Sequence, residues 1–311
     1  MRQGGEALRD DNKNARGARG RLVEACGGGA TTTFSRPSQR LHQHATNMIW
    51  NLASLPTPVL LALAIGLSVL LSVGGLWLFR RRFPYEMLSE HNEVAGFVYA
   101  IIGVIYGVMM AFVAIAQWEE FADTERLVHS EAATALIIFR EAGAYSDPAR
   151  TDLRARLLAY THSVREQEWP AMARGSASSH TEGTLEELWA AVQDLEPRSA
   201  VETNWHEKTV SNLESLSLLR RQRLLAMRSE IPGILWSVLL LGGLLTVGYT
   251  YLYGVRRLAA QAVITGVLTA CIGLVFAVSV ALDHPFAGPT SVNTESFDDV
   301  LEQMEVMQAT P

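Results

Sequence analysis

Residues 94–116 read VAGFVYAIIGVIYGVMMAFVAIA, and no charged side chain interrupts them. A helix crosses the roughly 30 Å of bilayer hydrocarbon with about 20 residues, so this run is long enough to span it. Three more runs share the property: about Pro58–Phe79, Ile234–Tyr253 and Leu258–Leu282. Backbone amides and carbonyls in lipid must be satisfied within their own segment, so each run is expected to be a helix. Trp50, Trp77, Trp118, Trp236, Tyr249, Tyr251 and Tyr253 lie near the span ends, where aromatic side chains anchor at the headgroup level. Four such runs in one chain argue against buried helices of a water-soluble fold.

Composition agrees. Hydrophobic residues make up 49% of the 311 and charged residues only 19%, below the roughly one quarter usual in soluble domains. The net charge of −6 offers no basic footprint for nucleic acid. Cys26 and Cys271 are far apart and have no neighbours at ligand spacing, so neither a disulfide framework nor a metal site is expected. Cys271 falls inside an apolar run and reads as a small packing residue.

The chain divides accordingly. Residues 1–47 are rich in Gly, Arg, Ala and Thr with almost no apolar periodicity, which fits either a disordered tail or an over-long start, with Met48 as the first residue. Residues 48–116 hold the first membrane hairpin and 231–284 the second. Between them, 117–230 form an extramembrane domain, and 285–311 a C-terminal tail. The domain's pattern is helical. Phe121, Val128, Ala132, Ala135 and Phe139 recur at helical steps from Trp118, and no breaker separates them from the second span. That span is therefore expected to continue out of the membrane as one helix, ended by Gly143–Pro148. A second helix carries Leu153, Leu157, Tyr160 and Val164 on one face and is expected to stop at Trp169-Pro170. Arg174–Thr184 reads as a loop, Leu185–Leu195 as a short helix closed by Pro197. A last helix runs from near Val201 through Val210, Leu213, Leu216 and Leu219 to Ser229. The fold class is all-α, with the extramembrane domain built as an extension of the second and third spans, paired as an antiparallel bundle.

Arginines give a divided signal for sidedness. Arg80, Arg81, Arg82, Arg256 and Arg257 place the short loops in the cytoplasm. Arg220, Arg221, Arg223 and Arg228, just before the third span, pull the domain to that same side. Long loops weigh less, so the rule leans toward an outward-facing domain.

Several runs resemble one family. His91-Asn92-Glu93-Val94-Ala95-Gly96-Phe97 leads into Tyr99–Gly107. Trp118-Glu119-Glu120-Phe121 follows the second span, then Glu168-Trp169-Pro170. The fourth span ends in Leu282-Asp283-His284-Pro285-Phe286-Ala287-Gly288-Pro289. Together these resemble the bacterial bestrophin-like family, a domain-of-unknown-function group, over about Met48–Glu305. The resemblance implies a likeness to bestrophins: pentameric anion channels with four spans and a helical cytosolic domain between the second and third. Bestrophin aromatic constrictions and the acidic calcium clasp have no residue-by-residue match in this sequence. The location implied is a bacterial inner membrane.

Seven residues stand out as pore or ligand candidates. Tyr99 and Tyr106 are seven apart on one helix face, with Gly103 and Gly107 within a turn. They suit either a pore-lining stripe or plain helix packing, the more frequent role of such residues. Asn92 sits with Glu93 at the start of the second span, and Glu119, Glu120 and Asp123 at its exit. They are either a cap and a solvated face or, in a symmetric oligomer, an acidic ring that favours cations. Asp283 and His284 either end the fourth span at the interface or form a pH-sensitive gate, the carboxylate favouring a charged imidazole, or His284 serves as a lone metal ligand. Glu125 and His129, four apart, fall short of the ligand number that a metal needs. No phosphate loop, nucleophile elbow or paired catalytic carboxylates occur, so neither an enzyme nor a cofactor is expected. The partners implied are the lipid bilayer, further copies of the chain and ions. Two functions compete: an oligomeric ion channel or transport-associated protein, and a non-transporting scaffold or sensor whose helical domain binds a partner. The uncharged spans favour a passive pore or an anchor over a pump.

Overall fold

The computed structural model describes residues 56–83, 88, 92–228, 232–288 and 290–309. The Met1–Asn47 segment and the Met48 start lie outside them. Among the described residues there is helix and no strand, as the pattern requires.

Helix α1 spans Thr57–Arg82, α2 Asn92–Glu141, α3 Ala149–Ser163, α4 Trp169–Met172, α5 Ser179–Gln193, α6 Ala200–Ala226, α7 Gly233–Thr250, α8 Leu258–Leu282 and α9 Glu295–Ala309. Helices α1, α2, α7 and α8 are long and apolar enough to cross a membrane. Pro56 and Pro232 lie directly before α1 and α7, where a missing N–H costs no helical bond. Helix α2 is unbroken for 50 residues, so the second span does run straight into the extramembrane domain.

There α2 pairs with α6, and α3 packs on α5. The apolar positions spaced along α2 and α3 meet in one core: Val128, Ala132, Ala135, Phe139, Leu153, Leu157, Tyr160 and Val164, with Leu188, Leu213 and Leu216. The spans share a smaller core of Tyr106, Met110, Val113, Leu239 and Ile272, and α1 lies along α8.

Three expectations need correction. Trp169-Pro170 does not stop the second domain helix. A π turn at Val164–Glu168 intervenes, and Trp169 N donates to the carbonyl of Val164, five residues back. That widened turn accommodates a proline that has no N–H to give, and the chain stays helical to Met172. The stretch read as a loop to Thr184 becomes helix at Ser179. Ser178 Oγ accepts from Thr181 N at 3.3 Å, a serine cap that the surrounding Ser and Gly disguised. Residues set aside as a tail contain α9, which lays Phe297, Val300, Leu301 and Met304 into the domain. Its apolar positions fall three and four apart, and the bundle core supplies the partner they need.

Candidate functional site

The candidates fall into two groups, one at each end of the spans. At the short-loop end, Asn92 clips the turn between α7 and α8. Its Nδ2 donates to Gly254 O at 3.0 Å, and its Oδ1 accepts from Gly254 N at 2.9 Å. Arg80 Nη2 donates to the neighbouring Val255 O at 2.5 Å. Tyr99 stacks on Tyr249 with centroids 5.9 Å apart and meets Tyr253 edge-on at 5.8 Å. One turn pair deeper, Tyr106 is buried, and its hydroxyl donates to Leu239 O at 2.9 Å. A Cβ at Gly242 would lie 2.5 Å from the Tyr106 ring, so the glycine is what lets the ring in. Tyr99 and Tyr106 thus share a face, and that face is packed on α7.

The opposite face of α2 is left uncovered by the described residues. Phe97, Ile101, Val104, Val108, Phe112 and Ile115 are all exposed, at steps of three or four. The same series reaches Glu119, also exposed, at the membrane exit. Glu119 and Glu120 line a cleft of about 630 Å³ with Asp123, Thr124, Gln222 and Leu225, between α2 and α6.

Asp283 and His284 close α8 and are both buried, His284 Nδ1 lying 3.8 Å from Asp283 Oδ2. Burial holds the imidazole below its ordinary value, so desolvation outweighs the charged form that the adjacent carboxylate was expected to favour. The next residues enter the domain, where Phe286 meets Trp169 edge-on at 5.5 Å. His129 Nδ1 pairs with Ser296 Oγ at 2.6 Å, fixing α9 to α2, and shares no site with Glu125. Among the described residues no group of three or more His, Cys, Asp or Glu side chains is placed to hold a metal ion.

A second polar centre lies deep in the domain. Arg223 Nε donates to Glu131 Oε2 at 2.6 Å, and its Nη2 to Glu131 Oε1 at 2.9 Å and Glu168 Oε2 at 2.6 Å. Arg220 bridges Glu168, with Nη2 to Oε1 at 2.6 Å, and also pairs with Glu182. Tyr160 Oη donates to Glu131 Oε1 at 2.9 Å. All but Glu182 are buried. The guanidinium of Arg223 also lies 5.5 Å from the Trp169 ring. These carboxylates keep both guanidiniums well above their ordinary value despite desolvation. The network joins the extension of the second span to that of the third through the π turn. Sequence reasoning placed Arg220 and Arg223 among the charges that set sidedness, whereas both face inward. Only Arg221 and Arg228 of that group are exposed. The available signal was spacing: 213, 216, 220 and 223 lie on one helical face, so the arginines continue the apolar stripe rather than flank it.

A family model for the bestrophin-like domain matches residues 66–297, well over half of the chain. The chain belongs to the bestrophin-like family. The solved structures similar to this bestrophin-like protein include two substituted forms of a bacterial Bestrophin homolog from Klebsiella pneumoniae. One is 13% identical, with 79% of this chain and 99% of that one covered at a TM-score of 0.54. The other is 14% identical, with 79% and 97% covered at 0.56. A further structure, described as a membrane protein, is 14% identical over 79% and 99% at 0.54. At such identities the likeness establishes the fold: a multi-pass, all-helical membrane protein of bestrophin type. No curated protein matches the chain.

Proposed function

We propose that this bestrophin-like protein is a homo-oligomeric ion channel of a bacterial inner membrane, its pathway lined by the unpacked face of α2. The carrying observation is the continuity of that face. It passes from Phe97 through Phe112 and Ile115 to Glu119 on one unbroken helix. Copies arranged about an axis with this face inward would give an apolar constriction, which gates by dewetting, followed by a ring of carboxylates, which favours cations. Spans without charge suit passive flow, since no ion-coupled step needs a titratable group in the membrane. The bestrophin resemblance supports an oligomer about a central pathway, while the acidic exit supports cations over anions.

The test is flux from liposomes holding the purified protein, with reversal potentials under salt gradients. Cation-selective conductance is expected. Glu119→Gln should move the reversal potential toward the non-selective value, and Phe112→Ala should raise leak. An intact, folded oligomer that passes neither cations nor anions overturns the channel and leaves the scaffold reading.

A further inference from the structure

We infer that the arginines at the short-loop end form a docking surface for anionic phospholipid headgroups. Arg80, Arg81 and Arg82 end α1, and Arg256 and Arg257 precede α8. Far apart in sequence, they are brought together by the Arg80–Val255 hydrogen bond, which seats the end of α1 against the α7–α8 turn. The Asn92 clip on Gly254 holds that turn from the other side. Phe79 and Tyr251 meet below it, with centroids 5.9 Å apart. The patch is therefore fixed by the fold.

Arg81, Arg82, Arg256 and Arg257 are exposed, and none has an ion-pair partner among the described residues. Within the domain, Arg126, Arg150, Arg156, Arg165, Arg220 and Arg223 pair with carboxylates. The described acid at this end is Glu93, which takes none of the four. Glu86 and Glu90 belong to the α1–α2 loop, outside the described residues. A guanidinium fork matches phosphate oxygens two at a time. The ligand is a lipid phosphate rather than a free one because of where the forks stand. Arg81 lies 3.4 Å above the Trp77 ring. Trp77, Phe79 and Tyr251 form a belt of the kind that sits at headgroup depth. Basic pockets between spans at this level suit anionic headgroups.

The experiment uses the full chain in phosphatidylcholine micelles, with phosphatidylglycerol added. The melting temperature and lipid adducts by native mass spectrometry are read. Phosphatidylglycerol is expected to raise the melting temperature and to remain bound. The double variant Arg256→Gln/Arg257→Gln should retain it several-fold less well, Arg256→Lys/Arg257→Lys only partly less well, and Arg198→Gln, on the domain, as well as the parent. Equal effects of phosphatidylcholine and phosphatidylglycerol overturn the proposal, as does undiminished retention by the Gln variant. Inorganic phosphate reproducing the stabilisation overturns the lipid as its source. Should the Gln variant fail to fold, the parent protein still decides, because retention must weaken as salt rises and a salt-independent adduct is fatal. These readouts do not depend on ion conduction.

Discussion

Arg223 and Tyr106 stand for two ways of joining α2 to a neighbouring helix. In the extramembrane half, α2 meets α6 across a broad apolar core that is large enough to enclose two arginines and two glutamates. In the membrane half, α2 meets α7 through Tyr99 stacked on Tyr249, the Tyr106 ring seated on a glycine with its hydrogen bond to Leu239 O, and a core of a few side chains. The difference follows from the solvent. Water drives apolar surface together, and a deep core then tolerates charges only if each is paired. Lipid gives no such drive, so adhesion between spans rests on close approach at small residues and on hydrogen bonds. Helices α1 and α8 obey the same rule: a Cβ at Gly273 would sit 2.8 Å from Ser68 Oγ, and Thr269 Oγ1 donates to Ser72 Oγ at 2.9 Å.

The largest effect should come from breaking the domain's charge network. Arg223→Ala leaves Glu131 and part of Glu168 buried without their cation, a loss of about 3–5 kcal/mol. Amide exchange in α6 and α3 should accelerate while the spans stay protected. A change confined to the spans would contradict the division into two regimes. Next, Gly242→Ala drives a methyl into the Tyr106 ring and should cost about 1–3 kcal/mol, as overpacking does. Tyr106→Ala in the same chain should recover part of that loss, read by thermal unfolding in detergent. Tyr106→Phe keeps the ring and deletes the bond to Leu239 O, so it should cost only about 0.6 kcal/mol, typical of one interhelical hydrogen bond in a membrane.

The smallest is a pH slope at the junction of the two halves. The folded-state pKa of His284 lies below its ordinary value, so the unfolded chain takes up the proton first. Stability from this residue is complete above the unfolded value of about 6.5 and is lost as pH falls from there through the folded value. His284→Asn should flatten the slope in melting curves taken across that window. An unchanged slope would assign the pH dependence to other groups.

The two halves also differed in how openly the sequence displayed them. Uninterrupted apolar runs gave all four spans, because lipid permits little else. The α2 stripe gave its continuation, since Val128, Ala132, Ala135 and Phe139 repeat at helical steps and are all buried. Elements that depend on a partner were harder to read. Helix α9 has short apolar steps that mean little until the core of α2 and α3 is there to receive Phe297 and Met304. The π turn before Pro170 has no sequence period of its own. Among the candidates, spacing correctly put Tyr99 and Tyr106 on one face, but the direction of that face depends on Gly242, 136 positions along the chain from Tyr106. Asn92 was legible as a polar residue at a span end. Its real partner, the backbone of Gly254, was not, since backbone acceptors leave no mark in a sequence.

Helix α2 contains no hinge between lipid and domain. At 1.5 Å per residue its 50 residues make a rod about 75 Å long. A helix that neither kinks nor frays at the membrane boundary transmits twist and tilt with little attenuation. A few degrees of rotation where Phe112 faces outward would therefore reappear where Glu131 grips Arg223, and any molecule that stiffens the far bundle also restrains the second span.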